Sequence, residues 1–548
     1  MNLYIDFYYN VLKRKRFFIP ILFFSIVSYS FSLYNRTISW DDLLRDHYFG
    51  SGNICLSGRW GMVVWIKMLG MEELDPFVDR FLALTFLIGT AILLCYLLYS
   101  IDKNKSVTSF TLFATAFVTY PLINEIWEYC GANFFLTSGL FLTTLATIVL
   151  RSNMGGINKF LLSSCFLLLP VSSYESSVFY YFSLVCIVIF YERVATNGNL
   201  RLKDWMIKMF IFVLPVFFAV FLRFAISMML NALFELEYTS GGATGITWME
   251  NHFLLTIRSL IISNIFYYGV SALVYFPITV FCIFLVVFIV FLFMLILKTH
   301  KISNLLLGFL VIISLFSQAI LQGGCLPYRN AQTLSLFVAF VVYLTNVFLS
   351  YKSRLIRYLK YIVLFALCWH QAIYLNRTLC LNNLRSDNEL SIIRQIGKEL
   401  IANYDRKPVV IVTPYKNGEW INRQITVDES SLNGRLFCKI LNKVSLPYRF
   451  VDSNINCATE QYAALKNYFA YSGFDVEIAG PIEKPHTPEY RHNDLTLIKK
   501  ATDLAKSNNM RPYQIKDVGD YIVVSLGNNH SPNIKGGTFY FYDYFKTK

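Results

Sequence analysis

From Pro277 to Leu297 the chain reads PITVFCIFLVVFIVFLFMLIL, with no charged side chain. A helix of that length is about 30 Å long, the depth of a bilayer's hydrocarbon core. Inside lipid, backbone donors and acceptors are satisfied only by helices or closed barrels. Runs of this kind recur, and eleven read as spans: 17–34, 80–100, 107–123, 133–150, 158–173, 177–191, 206–230, 271–297, 303–321, 332–350 and 357–374. The expected fold is an α-helical polytopic membrane protein. Composition agrees, since only 15% of the 548 residues are charged, against roughly a quarter in soluble proteins.

The formal net charge is +14, and its distribution excludes nucleic acid as the partner. Bases gather in alternate loops: Lys103 and Lys105, Arg151 and Lys159, Arg193 to Lys208, Lys298 and Lys301, then Lys352 to Lys360. The positive-inside rule puts these loops in the cytoplasm. The start, KRKRFFIPILFFSIVSYSFSLY, has the charged-then-apolar order of a secretory signal without a small-x-small cleavage site. It reads as an uncleaved first helix with a cytoplasmic N-terminus. The eleven cysteines form no CxxC pair and no zinc spacing. Cys95, Cys165, Cys186, Cys282 and Cys368 fall in spans and read as packing residues.

An odd number of spans places residues 376–548 outside the membrane, opposite the cytoplasm. KPVVIVTPY and GDYIVVSLG read as strands. ATEQYAALKNYFAYSG, closed by Gly473, and DLTLIKKATDLAKSN read as helices. The expectation is a membrane domain over 1–375 and an extracytoplasmic α/β domain over 376–548.

The first external loop, 35–79, carries the adjacent acids Asp41 and Asp42 in ISWDDLLRDHYF. One account is structural: acids in a first helical turn favour the dipole, and Ser39 with Asp42 resembles a capping box. Arg45 can pair with either acid. The functional account rests on what shares that face. SGRWGMVVWIKMLG (57–70) reads as an interfacial helix with Trp60 and Trp65 at the headgroups. NEIWEYCGAN supplies Glu125 and Glu128, SSYESS supplies Tyr174 and Glu175, and GGCLPYRNAQ supplies Tyr328 and Arg329. Arg258 is external, and Arg223 lies near the outer end of its span, where a side chain snorkels outward. Carboxylates and arginines on one face suit a hydroxyl attacking an activated sugar. A carboxylate takes the proton and guanidiniums stabilise the phosphate leaving group.

The acidic pair, the interfacial helix, the many spans and the external tail resemble the C-type (GT-C) membrane glycosyltransferases. ISWDDLLR, SGRWG, YESS and PYRNAQ together resemble the serotype-converting glucosyltransferases of the type II O-antigen modification family, over roughly residues 15–375. That resemblance implies undecaprenyl-phosphate glucose as donor and a lipid-linked O-antigen sugar as acceptor. Transfer would take place with inversion on the periplasmic face of a bacterial inner membrane. It implies a functional link to a flippase and to a polyprenyl-phosphate glucose synthase. Asp41 or Asp42 would be the base, and Arg45, Arg59, Arg329, Arg258 and Arg223 would hold the donor phosphate. Glu125, Glu128, Glu175, Tyr174, Tyr328 and Trp60 would face the acceptor. Glu175 departs from the family pattern, where an uncharged polar residue is expected. No cofactor is expected; Mg²⁺ or Mn²⁺ on the acids is the alternative. The rivals are an O-antigen polymerase or ligase, a flippase or transporter, and a membrane scaffold.

Overall fold

The computed structural model describes residues 3–35, 58–71, 75–123, 127, 133–196, 202–234, 253–254, 256–258, 260–261, 276–323, 332–348, 354–404, 407, 409–412, 462–476, 513–517 and 522–526. By contact they divide into two compact units that part between Leu379 and Cys380.

The first unit is a helical bundle. Its elements are α1 (Lys15–Tyr34), α2 (Trp60–Leu69), α3 (Pro76–Ile101), α4 (Val107–Thr119), α5 (Asn133–Arg151), α6 (Gly156–Ser173), α7 (Ser176–Ala195) and α8 (Leu202–Leu233). They continue with α9 (Phe276–Thr299), α10 (Ser303–Leu315), α11 (Ser317–Gln322), α12 (Gln332–Phe348) and the first part of α13 (Arg354–Asn403). Among the described residues eight helices are long and apolar enough to cross a membrane: α1, α3, α5, α6, α7, α8, α9 and Tyr358–Cys380 of α13. Large apolar side chains stay exposed on their outer faces, such as Phe210, Phe217 and Phe221 on α8 and Ile283, Val286 and Phe293 on α9. A surface of that kind fits hydrocarbon rather than water. Cys165 is also exposed on α6, not packed as its span position suggested.

The runs at 107–123 and 303–321 form shorter helices than expected, and each difference has a physical cause. Helix α4 stops at Thr119 because Tyr120 precedes Pro121 and is driven to an extended backbone (φ −65°, ψ 121°). Tyr120 is fully buried, and its hydroxyl donates to Pro277 O at 2.8 Å. Irregular backbone is tolerated at that depth because protein encloses it. The 303–321 run breaks at Phe316, between α10 and α11. At the break, Ser314 O accepts from Ser183 Oγ (2.8 Å) and Ser317 Oγ (2.7 Å). Helix α12 is buried at every position from Gln332 to Leu344 and packs against α4. Helices that are apolar all round belong inside a bundle. Polar pairs fix this centre: Tyr191 with Tyr343 at 2.8 Å, Asn346 Nδ2 donating to Ser109 Oγ at 2.7 Å, and Thr119 Oγ1 donating to Gln371 Oε1 at 3.0 Å. Pro20, Pro170 and Pro215 sit within α1, α6 and α8 without ending them.

The second unit holds the rest of α13, β1 (Val409–Val412), α14 (Tyr462–Tyr471), β2 (Tyr513–Asp517) and β3 (Ile522–Leu526). Its sheet has the order β1-β3-β2, with β1 parallel and β2 antiparallel to β3. Leu390, Ile393, Ile396 and Leu400 of α13 meet Val409, Tyr468, Phe469, Ile522 and Val524 in one apolar core. The two strands and the first helix expected in the tail are present, and Gly473 closes α14 at φ +88°. The helix expected at DLTLIKKATDLAKSN lies outside the described residues.

Candidate functional site

Three sequence motifs come together at the end of the bundle where α6 turns into α7. The turn is Tyr174-Glu175. Ser172 and Ser173, just before it, receive α2 through Gly61. A methyl group there would lie 2.8 Å from Ser173 Oγ and 2.9 Å from Leu169 O, so only glycine permits the approach. That packing sets Arg59, the N-cap of α2, against the turn.

Arg59 and Glu175 form a two-point pair. Nη2 donates to Oε2 at 3.1 Å and Nε to Oε1 at 3.5 Å. The Arg59 guanidinium also lies over the Tyr174 ring, 5.2 Å from its centre. From α8, Arg223 completes the cluster. Its Nη2 donates to Glu175 Oε1 at 2.8 Å and its Nε to Gly58 O at 3.0 Å. Gly58 has φ +71°, a left-handed conformation that suits glycine, and this aims its carbonyl at the arginine. Arg223, expected near the outer end of its span as a phosphate ligand or a plain snorkelling residue, has a side chain only 11% exposed. A carboxylate and a carbonyl within reach satisfy the guanidinium better than a long path to water.

Burial alone would raise the Glu175 pKa. The Arg59 and Arg223 guanidiniums outweigh that effect and hold the carboxyl below the ordinary glutamate value. Glu175 is therefore ionised at neutral pH, and the cluster is one carboxylate between two guanidiniums. The next residue, Ser176, donates to Gln332 Oε1 at 3.1 Å, which joins YESS to the last residue of PYRNAQ.

A second polar node lies at the same end, and the sequence reading passed over it. Asp79 and Arg80, at the start of α3, are each 1% exposed. Asp79 accepts from Asn133 Nδ2 (2.9 Å) and from Phe134 N (3.2 Å), so it caps α5 from a neighbouring helix. Arg80 Nη1 donates to Ser32 O at 2.7 Å, at the end of α1. The stem from which the chain enters the Asp41–Asp42 loop is thereby fixed to the bundle. The signal was available: DPFVDR sets two charges immediately ahead of an apolar run. Trp65 of α2 packs edge-on to Phe134, at 5.0 Å. Trp127 is fully buried against Tyr29.

Of the other residues singled out from sequence, Trp60 opens α2. Arg258 is helical and exposed, and it makes no hydrogen bond to the cluster among the described residues. Asp41, Asp42, Arg45, Glu125, Glu128, Tyr328 and Arg329 lie outside the described residues. Among the described residues, no three His, Cys, Asp or Glu side chains converge as metal ligands.

At the opposite end, Glu192 pairs with Lys208 (3.0 Å) and Arg151 (3.4 Å), and Arg193 Nε donates to Asn304 Oδ1 at 2.8 Å.

The fold defines a polytopic helical membrane protein, with two arginines and a glutamate clustered at one end of the bundle. A family model described as glucosyl transferase GtrII matches residues 30–415, well over half of the chain. The chain belongs to that family. The matched stretch contains Arg59, Glu175, Arg223, Asp79 and Arg80 and ends just beyond β1. No curated protein and no solved structure matches the chain.

Proposed function

We propose that this protein transfers glucose from undecaprenyl-phosphate glucose to a sugar of the lipid-linked O-antigen repeat. Transfer occurs at the periplasmic face of a bacterial inner membrane. The observation that carries this reading is the convergence of Arg59 and Arg223, distant in sequence, on one end of the bundle. Family membership supports sugar transfer. Guanidiniums held by a carboxylate and a carbonyl are positioned before substrate arrives, so they stabilise a departing phosphate without reorganising. Asp41 or Asp42 takes the proton of the acceptor hydroxyl, and Arg45 and Arg329 support the phosphate. A lipid-linked phosphosugar keeps its tail in the bilayer and its phosphate at this end of the helices. In this reading the eleven spans expected from the sequence leave the N-terminus inside and the C-terminal α/β unit outside. No metal is required.

The test compares O-antigen from cells with and without the gene, by NMR and mass. A difference of one hexose side branch supports the reading. Altered chain length would instead identify a polymerase, and unchanged O-antigen would refute both.

A further inference from the structure

We infer that Glu175 sets the charge of the phosphate site, so that it takes a singly charged phosphodiester donor in preference to a pyrophosphate-linked sugar. This rests on the proposal that Arg59 and Arg223 bind the donor phosphate.

Two guanidiniums alone would present a charge of +2. Both oxygens of Glu175 are engaged by them, Oε2 with Arg59 and Oε1 with Arg223. The formal sum over these three side chains falls to +1, one unit below its value without Glu175 whatever Arg45 and Arg329 add. The lowered pKa keeps that negative charge in place at neutral pH. A polyprenyl phosphosugar is a phosphodiester with one negative charge, which the net +1 of this triad matches. A pyrophosphate-linked sugar brings a second charge that the triad does not match. The released polyprenyl phosphate is a monoester whose second ionisation falls near neutral pH. Without Glu175 the arginines would hold that product more tightly, and the carboxylate weakens their grip on a dianion more than on a monoanion. Glu175 also orients both forks, so its charge and its position are separate properties. Glu175→Gln removes the first and keeps the shape; Glu175→Asp keeps the charge and shortens the arm.

The experiment uses the purified full-length protein in nanodiscs. Two probes are titrated, a short-chain prenyl phosphoglucose and the matching prenyl pyrophosphoglucose, with folding checked by thermal unfolding. The wild type should favour the phosphodiester. In Glu175→Gln, each unit of ligand charge gains the same factor, so the ratio of affinities should move toward the pyrophosphate by about tenfold or more. Glu175→Asp should keep the wild-type ratio even where both affinities fall. With turnover, Glu175→Gln should be inhibited more strongly by added prenyl phosphate. A wild type that prefers the pyrophosphate overturns the inference, as does a folded Glu175→Gln with an unchanged ratio. Arg223→Ala separates the two levels. If it binds the phosphodiester as tightly as wild type, the phosphate site itself is refuted. If it binds weakly while Glu175→Gln leaves the ratio unmoved, only the charge-setting role is lost.

Discussion

Arg223→Lys isolates the fork geometry of the cluster from its charge. Arg223 serves two acceptors at once, Glu175 Oε1 at 2.8 Å and Gly58 O at 3.0 Å. Lysine offers one compact ammonium on a flexible stem, so it holds one acceptor well and leaves the other. The side chain is only 11% exposed, so water does little to compensate. A lost hydrogen bond involving a charged group costs about 1.5–3 kcal/mol. If transition-state binding bears that cost, kcat/KM falls about 10- to 150-fold. The assay is the initial rate of hexose transfer from polyprenyl-phosphate glucose to lipid-linked O-antigen, at matched protein levels. Arg151→Lys makes the same chemical change at the opposite end of the bundle and should leave the rate near wild type. Full activity of Arg223→Lys would refute the two-acceptor role, and an equal loss in Arg151→Lys would show a general folding defect instead.

Asp79→Ala should lower stability by about 3 kcal/mol or more, because it strands Asn133 and the α5 N-terminus in a buried site; thermal unfolding in detergent reads this. Gly61→Leu should displace α2 from Ser172 and Ser173 and, with it, Arg59. Transfer should fall about a hundredfold while the protein still reaches the membrane, since small misplacements of positioned groups are costly. The Glu175 ion pairs should survive acidification. Its folded pKa lies below its unfolded value, so its contribution to stability is complete above the ordinary value of about 4.3. That contribution is lost only as pH falls further, through the lowered value. The stability difference between wild type and Glu175→Gln, followed against pH, should therefore be flat from neutrality into the ordinary carboxylate range. Asp41→Asn and Asp42→Asn should differ, one abolishing glucosylation at unchanged protein level and the other not, because the helix expected there from the sequence would set adjacent side chains about 100° apart.

Apolar runs announce helices well, because hydrocarbon depth fixes their length; α1, α3 and α5 to α9 follow directly. The stop at Thr119 was readable in Pro121. The break at Phe316 was not, because it depends on Ser183 of another helix reaching the carbonyl at Ser314. Helix α13 runs on to Asn403, past the expected boundary near Asn376. Leu390, Ile393, Ile396 and Leu400 recur at helical spacing and could have shown it. Strand β2, YQIKD, carries too little apolar pattern to stand out. At the site, Arg59, Glu175 and Arg223 were each recognised as candidates, two for the donor and one for the acceptor. Their union was invisible, since no local pattern links residues so far apart in the chain. Asp79 and Arg80 were passed over because charges beside a span ordinarily mark its edge, whereas here they lie under it.

The enclosure of α4 by α1 and α12 bears on how the chain is made. Thirteen residues of helix reach only about 20 Å, too short to settle alone in a bilayer. Its natural companion α12 leaves the ribosome much later. During synthesis α4 must wait in a provisional position, sheltered by the insertion machinery or by α1, until the late helix arrives. Nascent chains truncated before Gln332 should therefore show mixed orientation at α4, and extension past Phe348 should resolve them to one.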